Sequence, residues 1–159
     1  MYTLRGNMVF RGFSLKKKGL TIFRTRHRYG VMRSSMVFLD ENRIDIESQN
    51  LSGDELSIRK NGQITGNLDI SDYLCSFITL NRKDGRTDSF KLIKDGYAER
   101  YTLSRAGNPI LQFEMSLNPF LFESKYRIEV LESSFSIEAL EELIFYAGDI
   151  LHRRVRFGP

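Results

Sequence analysis

Leu143-Ile144-Phe145-Tyr146-Ala147-Gly148-Asp149-Ile150-Leu151 is apolar on nearly every face of a helix, with Asp149 as its only charge. A helix lying on a sheet surface keeps one polar side, so a helix without one is surrounded by protein. At about 1.5 Å per residue this stretch covers about 13 Å, far too short for a bilayer and suited to the interior of a small barrel. The start of the run is well marked. Ser136 can cap the free amides, Phe135 before it can pack on Leu140, and Glu138, Glu141 and Glu142 place negative charge in the opening turns. With no Pro in the way, the pattern predicts one helix over about 137–152, in which Gly148 either admits a close neighbour or is a tolerated weak spot.

Upstream, the apolar residues alternate, as in Ile44/Ile46, Leu56/Ile58, Leu68/Ile70, Tyr101/Leu103, Leu111/Phe113/Met115 and Tyr126/Ile128/Val130. Period two means strands with one covered face. Between them stand turn signals: Glu41-Asn42, Ser52-Gly53, Asn61-Gly62, Lys83-Asp84-Gly85, Lys94-Asp95-Gly96 and Ala106-Gly107-Asn108-Pro109. Asn-Gly and Asp-Gly supply the positive φ that tight hairpins require. The predicted fold is therefore mainly β, an antiparallel β-barrel or strongly curved sheet of about 10–12 strands with a buried C-terminal α-helix. It forms a single domain over 1–159, with strands over about 2–131, the helix and a basic tail at 153–159.

Composition agrees with pleated, half-buried surfaces: 12 Phe and 7 Tyr but no Trp and only 3 Pro. Cys75, the single cysteine, lies in the apolar run Tyr73-Leu74-Cys75-Ser76-Phe77-Ile78 and is expected to be a buried inert thiol. The first residues lack a secretory h-region, and no apolar stretch approaches the ~18 residues of a membrane span. The expectation is a cytoplasmic protein, soluble or peripheral at a membrane.

A barrel of this strand number around a C-terminal apolar helix resembles the tubby C-terminal-like superfamily, which includes the plant LURP-one-related proteins and the phospholipid scramblases. The residues that carry the resemblance run from Tyr101 to Phe113 (YTLSRAGNPILQF), a strand, Gly turn, strand unit. Asn118-Pro119-Phe120-Leu121-Phe122 follows, leading into Lys125-Tyr126-Arg127-Ile128-Glu129-Val130 and then the helix. The likeness covers about the last sixty residues; earlier it rests on strand number alone. It implies the barrel fold and leans towards membrane lipids, since members bind phosphoinositides, but it assigns no headgroup contact to a numbered residue.

The opening of the chain is basic. Arg5, Arg11, Lys16, Lys17, Lys18, Arg24, Arg26, Arg28 and Arg33 precede the first acidic residue, Asp40, while the whole chain holds 24 basic and 20 acidic side chains. Charge segregated in this way suits an anionic partner. If Leu20 to Val31 is one strand, Leu20, Ile22, Arg24, Arg26 and Arg28 share a face, and Phe23, His27, Tyr29 and Val31 share the other. Three arginines at intervals of about 6.6 Å would form a comb for phosphate oxygens, beside the basic turn Lys16-Lys17-Lys18. The plain alternative is a solvated strand face, its cations paired with acidic residues of neighbouring strands.

The expected ligand of this face is an anionic phospholipid headgroup or another phosphate-bearing compound. Nucleic acid is a second candidate, because Phe10, Phe13, Phe23 and Tyr29 could stack on bases beside the arginines, and an acidic protein partner is a third. An enzyme is not expected. Neither His27 nor His152 belongs to a metal-type cluster; His152 reads as a cap at the helix end and His27 as held neutral by the surrounding arginines. There is no Gly-x-Ser-x-Gly elbow and no phosphate loop, so neither catalytic residues nor a cofactor are assigned. Asp149 is expected to find a partner such as an arginine. Arg153, Arg154 and Arg156 are expected to leave the barrel at one mouth with Phe157, capping the helix or joining the basic face.

Overall fold

The period-two segments form thirteen antiparallel strands in a computed structural model that describes residues 1–7, 12–28, 34–96, 99–118 and 123–157, and the backbone alone of 117, 118 and 155–157. Expectations for Phe10, Arg11, Tyr29, Val31, Arg33 and residues 119–122, and for the side chains of Arg156 and Phe157, lie outside the described residues. The first seven strands are β1 (Tyr2–Asn7), β2 (Gly12–Lys17), β3 (Leu20–Arg24), β4 (Arg26–Arg28), β5 (Ser34–Leu39), β6 (Asn42–Ser48) and β7 (Glu55–Lys60). They are followed by β8 (Gln63–Asp69), β9 (Cys75–Asn81), β10 (Thr87–Lys94), β11 (Arg100–Arg105), β12 (Asn108–Asn118) and β13 (Glu123–Val130), and then by the helix α1 (Ile137–Phe157).

All thirteen lie in one sheet, ordered β3-β2-β1-β13-β12-β11-β10-β9-β8-β7-β6-β5-β4. Its two ends, β3 and β4, are halves of one segment joined by Thr25, so the sheet curls into a nearly closed barrel. The strand expected over Leu20–Val31 is thus divided where it changes partner, from β2 to β5. Thr25 holds this seam. Its N–H donates to the Phe13 carbonyl at 2.9 Å, while its Oγ1 accepts from the Phe13 N–H at 2.9 Å and donates to the same carbonyl at 3.1 Å. A Cβ on Gly12 would stand 3.0 Å from the Thr25 carbonyl oxygen, so a glycine lets the two backbones come this close.

The alternating residues turn one set of side chains inward: Ile44, Ile46, Leu56, Ile58, Leu68, Leu103, Leu111, Phe113 and Ile128 are all at most 1% exposed. Val130, at the end of its strand, is 37% exposed, and Ile70 lies just past β8. Inside the wall, every residue of α1 from Leu143 to Arg154 is buried. Each large apolar side chain on that stretch contributes about 1.5–3 kcal/mol relative to exposure. A Cβ on Gly148 would lie 2.9 Å from a Phe13 ring carbon and 3.0 Å from a Leu4 methyl, so the glycine admits β1 and β2 against the helix.

The Ser136 cap and the acidic first turn appear at the start of the helix as expected. Ser136 Oγ accepts the Ala139 N–H at 3.2 Å and its carbonyl accepts the Leu140 N–H at 3.0 Å. Phe135 packs on Phe90, with ring centroids 6.4 Å apart, under the Arg105 guanidinium. Glu141 accepts from the Tyr2 hydroxyl at 3.1 Å, and Glu142 pairs with Lys60 and accepts from Tyr146. The helix end differs from the expected 152. Nothing between His152 and Gly158-Pro159 breaks a helix, and α1 runs on to Phe157.

Helix direction distinguishes the two ends of the barrel. Where α1 begins, tight turns hold residues at positive φ: Lys18 and Gly19, Asp40, Asn61 and Gly62, Gly85, and Ala106 and Gly107. Where it ends, longer connections such as 49–54 and 70–74 cross between strands and bond to each other, Ile70 N–H to the Asp54 carbonyl at 2.8 Å.

Candidate anion-binding site

Strand parity turns Arg24, Arg26 and Arg28 outward and exposed, while Phe23, Thr25 and His27 face inward. The expected comb does not stay on one ladder. Arg24 stands beside Ser14 of β2, whereas beyond the Thr25 seam Arg26 and Arg28 stand beside Met36 and Ser34 of β5. Registry across the first three strands builds a different group. Arg5 lies opposite Ser14, and Ser14 opposite Arg24, so the two guanidinium-bearing positions flank a small hydroxyl residue on one outward row. Lys16 is two positions along β2 on the same face.

The result is an open cleft of about 480 Å³ lined by Arg5, Ser14, Lys16 and Arg24, and also by Asn7 and the carboxylate-bearing Glu123. Lys125 of β13 is the next residue along that row, opposite Arg5, and is exposed. Arg5 and Lys125 were not legible as members of this group, because registry between strands far apart in sequence decides it. The inward Leu4 beside Arg5 was the one local hint.

Several cations elsewhere on the wall are neutralised, although Arg26, Arg28, Lys83, Lys91 and Arg100 also have no carboxylate of the described residues within 4.0 Å. Arg43 pairs with Asp45 at 2.9 Å, Arg59 with Glu47 at 3.4 Å, Arg82 with Asp88 at 2.5 Å and Arg127 with Glu114 at 3.9 Å. Among the described residues, Arg5, Lys16, Arg24 and Lys125 have no carboxylate within 4.0 Å. The expected lysine turn is not uniform. Lys17 lies over the Tyr2 ring, 4.8 Å from its centroid, and its pKa is raised by the hydrogen bond to Tyr2. Lys18 is exposed at the turn with φ of 48°.

No family model, curated protein or solved structure matches this chain. The chemistry of the site therefore rests on its own side chains. Two guanidiniums and an ammonium around a hydroxyl can donate to several oxygens of one phosphate, with Arg giving parallel paired bonds.

Two members of the expected basic face are elsewhere. Arg153 and Arg154 do not leave the barrel at a mouth; they are 8% and 9% exposed, because the helix continues through them inside the wall. Arg153 Nε donates to Asp149 Oδ2 at 2.6 Å, giving the fully buried Asp149 the arginine partner expected of it. Arg154 Nη2 donates to Ser76 Oγ at 2.6 Å and the Asp72 carbonyl at 2.9 Å. His152 is an interior residue, 4% exposed, rather than a terminal cap. Its ring lies 5.0 Å from that of His27, which faces away from the arginines, with Nε2 3.8 Å from Asp149 Oδ1. Cys75 is a free thiol, half-buried rather than buried. Among the described residues no group of three or more His, Cys, Asp or Glu side chains could hold a metal ion.

Proposed function

We propose that this protein is a non-enzymatic binding module that associates with anionic phospholipid headgroups through the cleft of Arg5, Lys16 and Arg24. One observation carries the reading: cations from three neighbouring strands line one hollow together, outnumbering the one carboxylate there, Glu123, and none has a carboxylate of the described residues within 4.0 Å. Each cation held near an anionic bilayer contributes about 1 kcal/mol. Parity is broken ahead of Arg24: a register shift sets Thr21 rather than Ile22 opposite Lys16, and Ile22 packs against the core.

Nucleic acid is disfavoured by the same strands. Phe13 and Phe23, two of the aromatics that stacking would need, are each 3% exposed and face the core. The resemblance to the tubby C-terminal-like superfamily leans to lipid as well, and no helix among the described residues is long and apolar enough to cross a membrane. Peripheral association is the mode that follows from these features.

Co-sedimentation with vesicles tests the reading. Vesicles containing phosphatidylserine or a phosphoinositide should carry the protein down at low salt and release it at high salt, and purely zwitterionic vesicles should not. Equal binding to both vesicle types, or to neither, would overturn it.

A further inference from the structure

Among the described residues the three most exposed large apolar side chains are Leu51, 83% exposed, and Leu20 and Met1, 74% each. Leu51 lies in the connection 49–54, at the end of the barrel where α1 finishes. Leu20 and Met1 lie at the opposite end, since Tyr2 stands opposite Lys17 and Lys17 opposite Leu20. The two spots differ in the charge beside them. The connection of Leu51 closes with Asp54, whose carbonyl ties it to the connection 70–74, and there Asp72 accepts the N–H of Leu74 at 2.9 Å. Leu20 instead follows Lys16-Lys17-Lys18-Gly19. Lys18 and Gly19 turn the hairpin at φ of 48° and 86°, and a Cβ on Gly19 would meet nothing within 4 Å, so the tip projects into open space. Beside Met1 the same rim continues as a hollow of about 360 Å³ lined by Tyr2, Ile128 and Val130, with Arg127 and Glu129 offsetting each other in charge.

A single exposed leucine is ordinary on a protein surface, so its place decides what it can do. Leu20 adjoins Thr21, which stands opposite Lys16, and Lys16 lines the basic cleft. At about 3.3 Å per residue the leucine is one strand step from the edge of that cleft. A bilayer whose headgroup is held in the cleft therefore meets the turn. Charge then selects this end over the other, because an anionic surface attracts the lysines and repels Asp54 and Asp72. Lysine stems are long enough to cross apolar surface with the ammonium still among polar groups, as Lys17 does over the Tyr2 ring, 4.8 Å from its centroid.

We propose that the turn between β2 and β3 is a membrane anchor: with an anionic headgroup in the cleft, Leu20 enters the acyl layer while Lys17 and Lys18 keep their ammonium groups among the phosphates. Met1 lies at the same interface. The inference rests on the lipid reading of the cleft and adds an orientation to it. The end of the barrel where α1 begins faces the bilayer, and the end that carries Leu51 faces water.

The chain contains no Trp, so a single introduced Trp reports its own surroundings. With vesicles of phosphatidylcholine and phosphatidylserine, the emission of Leu20→Trp should shift to the blue and be quenched by lipids brominated on their acyl chains. Leu51→Trp should bind the same vesicles and show neither change. Leu20→Ser should weaken vesicle binding about tenfold, as loss of one leucine from an apolar layer does, and Leu51→Ser should bind like the native protein. Co-sedimentation of the same samples separates two kinds of failure. Protein that pellets while the Leu20→Trp signal stays unshifted and unquenched would overturn the anchor and leave the headgroup reading standing; protein that does not pellet would overturn both. Equal quenching of the two Trp variants, or native binding by Leu20→Ser, would likewise contradict the proposal.

Discussion

Arg24, Arg26 and Arg28 on the closing strand and Arg153 and Arg154 on the helix have the same composition and opposite fates. The first three stand outside on alternate positions of a strand, where every second side chain meets water whatever its charge. The other two lie on a helix enclosed by the wall, which has no wet face, so each must find its partners within the protein. A run of basic residues therefore means little until the element beneath it is known. On a strand it is a surface; on an enclosed helix it is an internal electrostatic problem.

That contrast can be broken by experiment. The largest effect should come from Asp149→Asn, which leaves Arg153 buried without its carboxylate and should cost about 3–5 kcal/mol of stability in urea denaturation. A loss below about 1 kcal/mol would mean that the helix arginines are not truly interior. Thr25→Val, which removes the hydroxyl holding the seam and leaves the Phe13 N–H short of its acceptor, should cost about 1–3 kcal/mol. Because Arg24 and Arg26 are positioned from either side of that seam, the variant should also weaken binding to anionic vesicles, and unchanged binding would separate the seam from the site. The smallest effect on stability belongs to Arg26→Ser and Arg28→Ser, within about 0.5 kcal/mol each, because both side chains are exposed.

The sequence carried the architecture further than the site. Alternation in the strands, Asn-Gly and Asp-Gly at the turns, and a helix with no polar side were enough to place a barrel around a helix. The seam was not legible, since Thr25 differs from any other strand threonine only through its bonds to Phe13 across the sheet. Arg5 and Lys125 joined the cleft by registry, which no local pattern records. The fate of Arg153 and Arg154 could have been found: Gly158-Pro159 is the first stop signal after Ser136, and reading the helix up to it would have moved both arginines off the tail. Parity, a purely local property, did turn Arg24, Arg26 and Arg28 outward as expected.

The central claim is that a cleft, rather than net charge, binds anionic lipid. It is tested most directly by vesicle dissociation constants for two triple variants of equal charge. One replaces Arg5, Lys16 and Arg24 with Ser; the other replaces Lys83, Lys91 and Arg100, which are exposed but lie on and beside β10 and β11, away from the cleft. At about 1 kcal/mol for each near-surface cation, the first should bind about a hundredfold more weakly than the native protein. The second should stay within about threefold of it, since only long-range attraction is lost. Equal losses in the two variants, or none in the first, would contradict the account.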